Sequence, residues 1–184
     1  MNRIFTAFSR NHPRLIIPVG LLAGLLSGVI ARAWMRWIST DPEFSWSGTL
    51  GIVIGFTIFG AIQATVYVVR KEPRTKRLAI LARGIGTIFS LQLFVAAGAI
   101  MFPTVLTLSL ALWREAWIPW VRVSLAVIGT AIWVLIIKSE IIDNFGWSIV
   151  TIGRILLFGC IYAPIIWALG ATVKPLKKPS LIEI

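Results

Sequence analysis

The chain has 184 residues, 58% of them hydrophobic and 14% charged, with a formal net charge of +11 and a mean hydropathy of +0.88. That is one domain's length with far too few charges for an ordinary soluble fold, in which about a quarter of residues are charged. The apolar runs are continuous and not alternating, which argues against a β-barrel. The expected fold is an all-α integral membrane bundle of about five transmembrane helices, forming a single domain over 1–184.

The positive charge does not point to nucleic acid, because the basic residues flank apolar runs as the positive-inside rule expects. Anionic lipid on the cytoplasmic side is the expected partner of that charge. One cysteine, Cys160, and one histidine, His12, leave no intrachain disulfide and no cluster able to hold zinc, iron or haem. No cofactor and no metal are therefore expected.

Residues 1–14 form a basic N-terminal segment in which Ile4, Phe5 and Phe8 share one helical face, suited to a short interfacial helix or a frayed end. The first long helix is expected from about Leu15 to Ile38, with Pro18 in its first turn. This run is long for a signal peptide, and Arg32 stands inside the cleavage-like "VIARA", so the helix is expected to be retained. A second helix is expected from about Ser47 to Val69. It is followed by "RKEPRTKR" (70–77), five positives and one negative, the strongest cytoplasmic marker in the chain.

The third helix is expected over Leu78–Phe102 with Pro103 as its exit. "TVLTLSLALW" (104–113) then stays apolar but is too short to span alone. It either continues the third helix past a kink or re-enters the membrane. "REAWIPWVR" (114–122) reads as an interface, the fourth helix runs from about Val121 to Ile142, and "DNFGW" (143–147) is a tight turn in which Asn144 or Gly146 takes the left-handed conformation. The fifth helix runs from about Ser148 to Val173, before a basic tail, 174–184.

Five passes put the two termini on opposite sides, and the N-terminus is expected to be cytoplasmic. Charge sits awkwardly with that count. The N-terminal segment, the 70–77 loop and the tail are all basic, and all favour the inside. Two half-length passes over 84–113 would remove the conflict; five full passes are the preferred expectation.

Small residues suggest how the helices meet. Gly20, Gly24 and Gly28 recur every four residues in the first helix, and Gly48, Gly51 and Gly55, then Gly60 and Ala64, stand in the second. Such strips let helix backbones approach closely, so a glycine-zipper hairpin of the first two helices is expected, with a homo-oligomer through the same glycines as the alternative. Gln63 and Gln92 are the amides available for an interhelical hydrogen bond.

The four-residue strip runs on to Arg32 and Arg36, at the start of "RAWMRWISTDPEFSWSGT" (32–49). Either these arginines snorkel to water, or they pair with Asp41, Glu43 or a bound anion beside Trp46. The acids also have helix-capping roles open to them, since Thr40-x-x-Glu43 has capping-box spacing and Ser45 or Ser47 can cap the second helix. This stretch resembles a segment of uncharacterised bacterial multi-pass membrane proteins, which implies a bacterial inner-membrane location and no particular activity. A second expected charge cluster joins Glu140, Asp143 and Arg154 at the inner end of the fourth and fifth helices, where a charge two turns into a span needs a partner.

No span carries a mid-depth acid or histidine, a metal-binding pair or a P-loop, so the chain is not expected to be an enzyme or a proton-coupled carrier. Two readings remain. One is an accessory or structural subunit packed against membrane-protein partners through small-residue faces. The other is binding or transport of a lipid or small anionic amphiphile at the collar formed by residues 32–49.

Overall fold

A computed structural model describes residues 13–40, 44–71, 76–96 and 101–175. Helix α1 is Pro13–Ile38, α2 is Trp46–Lys71, α3 is Lys76–Ala96, α4 is Met101–Trp113 and α5 is Pro119–Ile137. A π-helical turn at Lys138–Ile142 and a last turn at Asp143–Phe145 extend α5, and α6 is Ile149–Val173. Four stretches are long and apolar enough to cross a bilayer, namely Leu15–Ile38, Trp46–Arg70, Pro119–Phe145 and Ile149–Val173. The protein is an all-α, multi-pass membrane bundle. Its outer surface fits that setting: Leu22, Leu26, Ile58, Leu81, Ile88, Val127 and many other large apolar side chains are exposed, far beyond the patch size a soluble monomer carries.

Local chemistry sets the helix ends. Pro13 opens α1, so Pro18 falls in the second turn and not in the first. Ser45 caps α2, its Oγ accepting from the Gly48 N–H at 3.2 Å. Gly146, at φ +63°, supplies the left-handed residue between α5 and α6. Ser148 then caps α6 by accepting from Thr151 N–H at 3.1 Å.

The third pass departs from expectation. The helix does not run from Leu78 to Phe102; α3 ends at Ala96 and a new helix begins at Met101. Pro103 lies in the first turn of α4, where a missing N–H costs no helical bond, so it starts a helix where an exit was expected. Contacts fix the directions. Gly86 of α3 lies against Val66 of α2 and Thr172 of α6, and the buried Ser90, one turn further on, meets Gln63. Thus α3 runs antiparallel to α2. In α4, Ser109 Oγ donates to the Ile166 carbonyl at 3.1 Å, and Trp113 lies against Gly170, so α4 runs parallel to α6. The pair α3–α4 therefore enters and leaves at one end of the bundle. From Arg83 to Ala96, and again along α4, the rise is only about 20 Å, against a hydrocarbon core of about 30 Å. This is the re-entrant alternative, built as a helical hairpin whose connection, 97–100, lies outside the described residues.

The hairpin changes the parity of everything after it. Residues Pro13, Arg70, Arg114 and Lys174 lie at one end, here called the Arg70 end. Residues Ile38, Phe44 and Asp143–Arg154 lie at the other, the Arg36 end. The aromatic core sits toward the latter: Trp34 stacks on Phe158 at 4.6 Å, Phe158 is fully buried, and Tyr162 and Trp133 flank it at 4.4 and 6.1 Å.

A buried polar knot ties the hairpin to the bundle. Gln63 Nε2 donates to Ser90 Oγ at 3.0 Å, Thr172 Oγ1 donates to Gln63 Oε1 at 2.7 Å, and Ser90 Oγ donates to the Gly86 carbonyl. One amide thereby joins α2, α3 and α6. The Gln92 side chain lies outside the described residues.

Candidate functional site

At the Arg36 end, α1 delivers Arg32 and Arg36 toward α2, and Trp34 and Trp37 toward α6. Arg32 Nε donates to Thr49 Oγ1 at 3.0 Å. Arg36 is exposed, with its guanidinium carbon 5.3 Å from the centre of the Phe44 ring. Trp46 packs edge-on against Phe44 at 4.9 Å and is 71% exposed. Arg36, Phe44 and Trp46 thus form one cation–aromatic stack. Asp41 and Glu43, the expected partners of these arginines, lie outside the described residues.

On the other side of α1, Arg154 comes from the second turn of α6. Its guanidinium carbon lies 3.7 Å from the centre of the Phe145 ring and 5.6 Å from that of Trp37. Trp34 Nε1 donates to the Arg154 carbonyl at 2.9 Å. The expected cluster of Glu140, Asp143 and Arg154 does not form: among the described residues Arg154 makes no ion pair, and its buried Nε has no hydrogen-bond partner. Glu140 and Asp143 are exposed beside the π-helical turn, where Asn144 donates to the Glu140 carbonyl at 3.0 Å. Nor is this the end opposite the collar. The hairpin brings Arg154 to the same end as Arg32 and Arg36.

The magnitudes leave Arg154 short of partners. A cation on an aromatic face gains about 0.5–2 kcal/mol, and an arginine in the second turn of a span still favours polar partners or a path to the interface. An acceptor that reached the buried Nε would satisfy it. Arginine has donors only, so what fits its Nε is an acceptor.

The small-residue strip meets α2 at Gly60 and Ala64 but not at Gly51. A Cβ on Gly24 would strike the Phe56 carbonyl, and one on Gly20 would lie 2.7 Å from the Gly60 carbonyl oxygen. One on Gly28 would lie 2.9 Å from the Val53 Cα. The facing residues on α2 are Val53, Phe56, Gly60 and Ala64. Gly51 is not among them: a Cβ there meets nothing within 4 Å, because two residues from Val53 is roughly 200° around the helix. Gly55 is half-buried.

At the Arg70 end, Arg70 Nη1 donates to the Gly170 and Ala171 carbonyls, and its Nη2 donates to the Pro175 carbonyl at 2.8 Å. Arg83 Nε donates to the Thr172 carbonyl at 2.7 Å. Two guanidinium groups thus cover the C-terminus of α6, where unsatisfied carbonyls and the negative end of the helix dipole favour cations. Arg122 Nε donates to the Ala111 carbonyl at 2.9 Å and closes the α4–α5 turn. None of these roles is readable as a motif. Arg83, a lone charge inside an apolar stretch, is the one sequence signal that could have found the group.

Compared with known proteins, the chain matches no protein-family model, no curated protein and no solved structure.

Proposed function

We propose that this is a non-catalytic membrane protein that holds the phosphate of an anionic lipid, or a similar small anionic amphiphile, at its Arg36 end. Arg154 is the principal donor, and Arg32 and Arg36 add positive charge at the same end from the other side of α1. The observation that carries the reading is the Arg154 guanidinium, seated on Phe145 with a buried, unpartnered Nε and, among the described residues, no carboxylate paired with it. A role as an accessory subunit would need a small-residue face left free for a partner, and Gly20, Gly24 and Gly28 already face α2.

We place the protein in a bacterial plasma membrane with the Arg70 end cytoplasmic. The likeness of residues 32–49 to bacterial multi-pass proteins supports the first part. For the second, Pro13, Arg70 and Lys174 share one end, and a cytoplasmic place for that end agrees with the positive-inside rule for the basic stretches that adjoin them in sequence. The conflict that five full passes created disappears.

Native mass spectrometry of the mildly solubilised protein tests the function. The wild type is expected to retain phosphatidylglycerol over phosphatidylcholine, and Arg154→Gln to weaken that retention by roughly tenfold, the scale of one charge-assisted hydrogen bond. Equal retention of the two lipids, unchanged in the variant, overturns the reading. A stoichiometric partner chain without lipid would favour the accessory role.

A further inference from the structure

We infer that the π-helical turn at Lys138–Ile142 is a register device for Arg154. It turns Ile141 and Phe145 to the buried face of α5 and holds the Glu140 carboxylate outside. Asn144 straps it and is thus a positioning residue for the Arg154 seat. The inference rests on the Arg154 reading only for its lipid measurement; the geometry stands apart from it.

The first observation is the register of α5. Gly129, Ile136 and Ile137 are buried. At about 100° per residue, an unbroken α-helix would carry Glu140 to within about 20° of Gly129, and Phe145 to about 160° from it. The structure shows the reverse. Glu140 is exposed, Ile141 is fully buried and Phe145 is half-buried, with its ring centre 3.7 Å from the Arg154 guanidinium carbon. One extra residue in a turn shifts everything beyond it back by about 100°, which brings Ile141 to about 20° and Phe145 to about 60° from Gly129.

The second observation is how the turn is held. The Asp143 N–H donates to the Lys138 carbonyl, five residues back, as a π turn requires. Asn144 Nδ2 donates to the Glu140 carbonyl at 3.0 Å and to the Ser139 carbonyl at 3.4 Å. The Asn144 amide thus ties the segment after the turn to two carbonyls within it. Ile141, with no exposed surface, supplies the apolar gain for the same register.

The third observation is depth. Glu140 precedes Phe145, and Arg154 follows Ile149, by the same number of residues, so each lies roughly 7–8 Å in from its helix end at the α5–α6 turn. A carboxylate turned inward at that level would compete for the guanidinium, because arginine pairs with carboxylates in charge-assisted hydrogen bonds. The π turn sets an aromatic ring there in its place. A ring face holds the cation without occupying its N–H donors, so they stay open to an acceptor.

The test uses the full chain in detergent with isotope-labelled arginine, Arg154 being assigned by the NMR signal lost in Arg154→Gln. Without lipid, its side-chain signal is expected to carry an upfield ring-current shift that Phe145→Leu removes. Asn144→Ala should reduce that shift and weaken phosphatidylglycerol retention by roughly two- to tenfold, the scale of one hydrogen bond. Deleting Ser139 from the Asn144→Ala chain should restore both, because a regular α-helix one residue shorter presents the same face. Adding Glu140→Gln to Asn144→Ala should restore retention but not the shift, whereas Glu140→Gln alone should change neither. The inference is overturned if Asn144→Ala leaves shift and retention as they were, or if deleting Ser139 abolishes the shift. Should the deletion fail to fold, the Glu140→Gln arm decides: equal retention with and without it in the Asn144→Ala chain overturns the inference. If the shifts behave as expected while no chain prefers phosphatidylglycerol over phosphatidylcholine, the register device stands and the lipid reading of Arg154 falls.

Discussion

Trp34 donates its indole N–H to the backbone carbonyl of Arg154 at 2.9 Å, joining residues 120 positions apart. This single bond places the end of α1 and the start of α6 at the same end of the bundle. A chain with five full passes cannot make it, because α6 would then begin at the end where α1 begins.

Topology follows directly. In a Cys160→Ser background, Ser39→Cys and Asn144→Cys are expected to react with a membrane-impermeant thiol reagent from the same side, and Glu115→Cys from the other. With the Arg70 end cytoplasmic, Glu115→Cys is the cytoplasmic label. Opposite-side labelling of positions 39 and 144 would restore the single third pass and remove the hairpin.

The α1–α2 seam gives a contrast of two glycines. At Gly24 any side chain meets the Phe56 backbone, whereas at Gly51 it meets open space. Gly24→Leu should destabilise by about 1–3 kcal/mol through overpacking. Gly51→Leu should stay within about 0.5 kcal/mol of the wild type, as a surface change does. Thermal unfolding in detergent reads both. Equal effects would mean that the two helices meet through another face.

Much of this fold is legible in composition and periodicity. Apolar run lengths locate α1, α2, α5 and α6, and serines and a glycine mark their ends where Ser45, Gly146 and Ser148 act. The hairpin is less legible, because Pro103 reads equally as an exit or as a first-turn residue, and only the contacts of Ser90 and Ser109 decide between them. The charged residues are the least legible. Sequence proximity pointed Arg154 toward Glu140 and Asp143, but the chain sets the guanidinium on Phe145 and leaves both acids exposed. Helix parity, a global property, determines which charges can meet, and local spacing carries no information about it. For the same reason Arg70 and Arg83 gave no hint that they would cover a helix end about ninety residues or more away.

The polar knot makes the hairpin's attachment testable. Gln63→Leu removes the amide that links Ser90 and Thr172 and leaves both hydroxyls without that partner. Interhelical hydrogen bonds in membranes are worth about 0.6 kcal/mol on average and up to about 1.7. Here two are lost together, so a loss of about 1–3 kcal/mol is expected. Hydrogen exchange in α3 should rise more than in α1. Uniform exchange across both helices would show that the hairpin is held by packing and not by Gln63.

Trp34 combines a polar and an apolar role, and two substitutions separate them. Trp34→Phe removes the N–H bond to the Arg154 carbonyl but keeps a ring that can stack on Phe158, as the indole does at 4.6 Å. That carbonyl lies in the second turn of α6, one turn past the first turn that the Ser148 cap holds. The expected cost is therefore that of one hydrogen bond, about 0.5–1.5 kcal/mol. Trp34→Ala empties a site where the side chain is 3% exposed, and the expected cost rises to about 3–5 kcal/mol. The two variants should also differ at Arg154. With Phe at position 34, the guanidinium keeps its seat on Phe145, and phosphatidylglycerol retention should persist. With Ala, α6 loses the Trp34 stack and hydrogen bond to α1, the seat of Trp37 over Arg154 loosens, and retention should fall along with stability. If Trp34→Phe abolished lipid retention while costing little stability, the indole N–H would be acting on the bound anion and not on the Arg154 carbonyl, and the geometry of the collar would have to be redrawn around Trp34.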